Sequence, residues 1–86
     1  MSTSVDIQTV LAKNLRFETE RFYVLLEDGR EIGIPYEWFP LLDGANEEEL
    51  KNWRFIGGGI GIHWESLDED ISVIGLLKGQ HRSDQK

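Results

Sequence analysis

Apolar and polar positions alternate most cleanly in the middle of the chain. Phe22, Val24 and Leu26 take every second place around Tyr23 and Leu25, and Ile32 and Ile34 resume the alternation around Gly33. A period of two sends successive side chains to opposite faces, so both runs predict strands. Between them lies Glu27-Asp28-Gly29-Arg30. Asp-Gly is a strong hairpin signal, because a type I′ turn needs positive φ at both central residues, which Asp tolerates and Gly favours. A β-hairpin over about residues 21–35 follows, closed by Pro35, which has no N–H to give a further ladder bond.

On either side the pattern is less regular. Residues 1–4 read as a loose leader, and Val5, Ile7, Val10, Leu11 and Leu15 fit neither period, so only an early strand is expected there. After Pro35, Tyr36-Glu37-Trp38-Phe39 suits a short helical turn that Pro40 interrupts or ends. Asn46 stands three residues before Glu49, the spacing of a capping box, and Glu47, Glu48 and Glu49 occupy the first turn, where the helix dipole favours anions. Leu50 and Trp53 share a face, which predicts a helix over about 46–53.

Phe55-Ile56 and the alternating Ile60, Ile62 and Trp64 predict two short strands, with Gly57-Gly58-Gly59 as the bend between them. Val73, Ile74, Leu76 and Leu77 suit a last helix. Ser72 is its expected N-cap, Asp68 to Asp70 feed its positive end, and Gly79 is its left-handed stop. Residues 80–86 read as a disordered tail. The expected fold is α+β: a small mixed or antiparallel sheet with the hairpin and two or three short helices, in a single domain spanning 1–86.

Composition narrows what such a domain does. With 86 residues there is room for one modest core. No cysteine is present, so disulfides and thiolate metal sites are excluded, and a reducing, cytoplasmic setting is expected. No signal-like leader or membrane-length apolar run appears, so no membrane association is expected. Sixteen Asp and Glu stand against nine Lys and Arg, a formal charge of −7. Nucleic-acid binding draws its affinity from cations that neutralise phosphates, so direct binding is not expected. An acidic chain points instead to a basic protein partner.

Three stretches invite a chemical reading. Gly57-Gly58-Gly59-Ile60-Gly61 lacks both the G-x-G-x-x-G and the G-x-x-x-x-G-K spacing, so it reads as a bend and no cofactor is expected. His63 and Glu65 are two apart and share a strand face, and with Asp68 or Asp70 folding back they are candidate nitrogen and oxygen ligands for a metal. Against that, there is no H-x-H or H-x-x-x-H pair and no calcium-loop spacing, and carboxylates in such loops commonly anchor backbone N–H groups. No catalytic residue is assigned. Trp38, Phe39, Trp53 and Trp64 serve mainly as core, with Trp38 and Phe39 beside Pro40 as candidate interface anchors.

Taken together, these motifs resemble the bacterial family known as domain of unknown function 2442. The resemblance runs over about residues 20–79: Asp28-Gly29-Arg30 into Ile34-Pro35, Trp38-Phe39-Pro40-Leu41-Leu42, Asn52-Trp53, then Ile62-His63-Trp64 with Leu67-Asp68-Glu69-Asp70-Ile71-Ser72-Val73. It implies a small α+β domain without established activity, metal or cofactor. It also implies a likeness to partner proteins, since some members are encoded beside another short protein, in an arrangement similar to toxin–antitoxin operons. Others carry an added helix-turn-helix domain, which is not expected here. The leading functional expectation is thus a non-catalytic interaction module, antitoxin-like, for a small basic co-encoded protein. Asp68, Glu69 and Asp70 would be its charged contacts and Trp38 and Phe39 its anchors. A metal-assisted enzyme using His63, Glu65, Asp68 and Asp70, or a structural homo-oligomer, are the alternatives.

Overall fold

A computed structural model describes residues 10–79; the expected leader and tail lie outside them. Two antiparallel three-stranded meanders make the α+β frame. The first holds β1 (Ala12–Phe17), β2 (Arg21–Leu26) and β3 (Glu31–Pro35); the second holds β4 (Trp53–Ile56), β5 (Gly61–Trp64) and β6 (Glu69–Ser72). Between them run a 3-10 turn (Tyr36–Trp38), α1 (Pro40–Asp43) and α2 (Glu47–Lys51), and α3 (Val73–Leu77) follows β6.

The predicted hairpin is present as β2 and β3, with Phe22, Val24 and Leu26 fully buried. Its turn differs from type I′. The Leu26 carbonyl accepts from the Gly29 N–H at 3.0 Å, and the Leu26 N–H donates to the Arg30 carbonyl at 2.7 Å. Gly29 has φ 99°, whereas Asp28 keeps a negative φ. This is a three-residue loop with a bulge at the left-handed glycine. Asp28 holds it by accepting from the Arg30 backbone N–H at 3.0 Å and from its guanidinium at 2.9 Å.

The early strand begins later than the apolar positions suggested, at Ala12. Its register slips between Ala12 and Asn14, so Lys13 is an extra residue. A bulge resets the inside–outside alternation, which lets both Ala12 and Leu15 face the core although they are three apart. That is why neither period fitted. Pro40 begins α1 instead of ending a helix, because the first helical position needs no N–H and tolerates proline's fixed φ. The helix expected over 46–53 is shorter: its Asn46–Glu49 capping box is formed, but Trp53 opens β4.

The last helix has its Ser72 cap, with Oγ accepting from the Gly75 N–H at 3.1 Å, and Gly79 at φ 81° beyond its end. The acidic run before it is not a feeding loop. Glu69–Ser72 is β6, paired with β5 through Ile62 and Ile71 and through His63 and Asp70.

Both sheets close on one core. Phe22 from the first sheet meets Trp64 from the second edge-to-face, ring centres 6.1 Å apart, and stacks on Tyr36 at 5.8 Å. A backbone bond joins the two sheets: the Ala12 N–H donates to the Gly59 carbonyl at 2.9 Å. Within the second sheet, the Val73 N–H donates to the Ile60 carbonyl at 3.0 Å and extends the β5–β6 ladder to the start of α3. The Trp64 indole N–H reaches the Leu50 carbonyl at 3.0 Å, tying α2 to β5.

Candidate functional site

Strand pairing in the second sheet sets Arg54, His63 and Asp70 side by side, because Arg54 is opposite His63 and His63 is opposite Asp70. Ile62 and Trp64 turn into the core, so His63 takes the outer face, where its side chain is 17% exposed. Its Nδ1 bonds the Asp70 carboxylate, and its Nε2 lies 3.1 Å from Oε1 of Glu65. The same Glu65 oxygen is 3.7 Å from the Arg54 guanidinium. The result is a row of two cations and two carboxylates when the imidazole is protonated.

The electrostatics favour that protonated form. The hydrogen bond that the imidazolium donates to the Asp70 carboxylate raises the His63 pKa, with Glu65 adding to it; desolvation and the Arg54 charge oppose the rise. An imidazolium whose two N–H groups both point at carboxylates offers no lone pair to a proton or a metal ion. Asp68 stays outside the row. It sits in the β5–β6 turn with a positive φ of 53°, and its side chain is exposed. Among the described residues, no three His, Asp or Glu side chains converge as a metal-binding group.

The candidate anchors separate too. Phe39 is 4% exposed inside the core, and Glu69 is 3% exposed on the inner face of β6, beside Trp64; Trp38 is half-buried. Asp68 and Asp70 are exposed but project from different positions of the hairpin. Burial of Glu69 follows from its place in β6, where alternation turns residues 69 and 71 inward. Read as a loop, the run gave no such signal.

A second feature was not visible in the sequence. An open groove of about 470 Å³ lies between the β1–β2 turn and the α1–α2 junction. Leu42, Phe17 and Leu50 give it apolar surface, and Glu18, Asp43 and Glu47 contribute carboxylates. An adjoining depression shares Thr19, Tyr36 and Asp43 with it and adds Glu20 and Glu37. The groove is held in shape by the Tyr36 hydroxyl, which donates to the Glu18 carbonyl at 2.7 Å, and by the Asn46–Glu49 capping box at the start of α2. Its residues come from four separate segments, and only the fold brings them together.

No helix among the described residues is long and apolar enough to cross a membrane. No curated protein matches the chain. A crystal structure of a protein of unknown function from Rhodospirillum rubrum superposes with a TM-score of 0.74 at 34% identity, over 84% of this chain and 89% of the other. An uncharacterized protein from Chromobacterium violaceum, solved in solution, gives 0.71 at 26% identity, over 83% and 67% respectively. The family model described as Protein of unknown function (DUF2442) matches residues 12–82, so the chain belongs to that family.

Proposed function

We propose that this chain is a non-catalytic binding module whose partner is a small basic protein, with an antitoxin-like pairing to a co-encoded protein as its biological form. The observation that supports this is the placement of carboxylates around concave apolar surface, in the groove between the β1–β2 turn and α1–α2. A net charge of −7 speeds encounter with a cationic partner, and apolar surface beneath the charges supplies contact energy once they meet. The His63 row, by contrast, has its ring nitrogens already occupied by its own carboxylates. Co-expression with the adjacent gene product, followed by copurification and calorimetry, tests the reading. A complex is expected at low ionic strength and should weaken in about 1 M salt, where the screening length is about 3 Å. No complex at low salt would count against it.

A further inference from the structure

We infer that the groove accepts a short chain segment in which one apolar side chain is flanked by lysines or arginines. This rests on the binding-module reading and names the partner's contact chemistry. Half-buried Phe17 and Leu50 give the groove accessible apolar surface, with buried Leu42 also in its lining, so an apolar group seated there sheds water against both. Around that patch stand Glu18, Asp43 and Glu47, and the adjoining depression adds Glu20 and Glu37. Among the described residues, Arg21 is the single cation lining either depression.

Most of this charge is uncommitted. Glu20, Glu37 and Asp43 make no ion pair among the described residues. Glu47 meets Lys51 only at 3.6 Å with both side chains largely in solvent, and Glu18 is held by Arg16 at 2.7 Å. Cations from a partner therefore find carboxylates without first breaking strong internal pairs. A second copy of the chain carries the same net charge of −7 and is the wrong occupant. Nucleic acid is wrong for the same reason. A metal ion does not fit, since among the described residues no three His, Asp or Glu side chains converge to hold one. The groove is open to solvent and meets the adjoining depression at Thr19, Tyr36 and Asp43, which suits a segment of a larger partner better than an enclosed small molecule.

The probes are three amidated peptides: Lys-Lys-Leu-Lys-Lys, the same with Gly for Leu, and Glu-Glu-Leu-Glu-Glu. Each is titrated into the labelled protein at low salt and followed by amide chemical shifts. The Leu-bearing basic peptide should shift the amides of Thr19, Asp43 and Ala45 and leave Gly29 unmoved. Replacing its Leu should weaken binding about tenfold. Asp43→Lys and Glu20→Lys should each weaken it about fivefold. Glu27→Lys, an equal charge change at the opposite end of the first sheet, should change it less than twofold. Equal losses in Asp43→Lys and Glu27→Lys, or no dependence on the Leu, would overturn the groove as the site while leaving the module reading intact. If the co-encoded protein also fails to bind at low salt, the module reading falls with it.

Discussion

Gly59 and Ala12 lie in van der Waals conflict with any larger residue at position 59: a Cβ there would run into the Ala12 carbonyl oxygen and stand 3.0 Å from its nitrogen. The pair joins the two sheets, since the Ala12 N–H donates to the Gly59 carbonyl at 2.9 Å. Gly59 also holds φ 122°, outside the range of L side chains. Gly59→Ala is therefore expected to lower stability by about 3 kcal/mol or more, read as a fall in the urea midpoint. Gly58→Ala, with φ 73° and nothing within 4 Å of a new Cβ, should cost only about 1 kcal/mol. Equal losses at the two glycines would mean that the sheet junction does not depend on close approach at Gly59.

Trp64 combines two roles in one side chain. Its ring is fully buried against Phe22, and its indole N–H satisfies the Leu50 carbonyl at the end of α2. Trp64→Phe keeps most of the apolar contact but leaves that carbonyl without its donor and opens space beside it. A loss of about 1–3 kcal/mol is expected. Amide exchange should speed up in α2 more than in β2, because the lost bond anchors the helix. Uniform acceleration would deny that local anchoring role.

How much of this was legible in the sequence depends on the range of the interaction that fixes each element. Local chemistry was readable: the Asn46–Glu49 capping box, the Ser72 cap, the Gly79 stop and the Asp28-Gly29 hairpin are all decided within a few residues. The bulge at Lys13 was not, because it appears only when β1 is set against β2. The acidic run 68–70 read as a helix approach, since three carboxylates in a row hide the inward turn of Glu69 that pairing with β5 imposes. His63 and Glu65 were seen as neighbours on one strand face. Asp70 is one of two acids that the sequence allows to fold back toward them, but its pairing opposite His63 needs the β5–β6 register, and the contribution of Arg54 needs the β4–β5 register. The groove lay further out of reach, because Phe17, Tyr36, Asp43 and Leu50 have no sequence relationship.

The caps make a separate prediction about local order. Asn46 accepts from the Glu49 N–H at 2.8 Å, and Glu49 reciprocates to the Asn46 N–H at 3.0 Å. Helices of five residues have little intrinsic stability, so these bonds carry much of what holds α2. Asn46→Ala should cost about 1 kcal/mol globally. It should also weaken the basic Leu peptide, because Glu47 and Leu50 ride on α2. Asn46→Asp, which keeps the acceptor, should restore both stability and peptide affinity. If peptide affinity survives Asn46→Ala in full, α2 does not shape the groove.

His63 gives the chain a pH dependence whose sign follows from the row. The hydrogen bond to Asp70 raises its pKa above the ordinary value of about 6.5. A group that holds its proton more tightly when folded stabilises the fold fully below its unfolded pKa. That stabilisation is lost as pH rises through the folded value. Stability should therefore decline gently from about pH 6.5 upward through the His63 titration. Asp70→Asn removes the main cause, so the imidazole midpoint, followed by proton NMR, should fall toward the ordinary value and the decline should flatten. Arg54→Gln removes an opposing charge and should move the midpoint the other way. The opposite shifts separate the row from simple burial, which lowers the value and which neither substitution on an exposed face greatly alters. An unchanged midpoint in Asp70→Asn would show that the carboxylate on β6 does not hold the imidazolium.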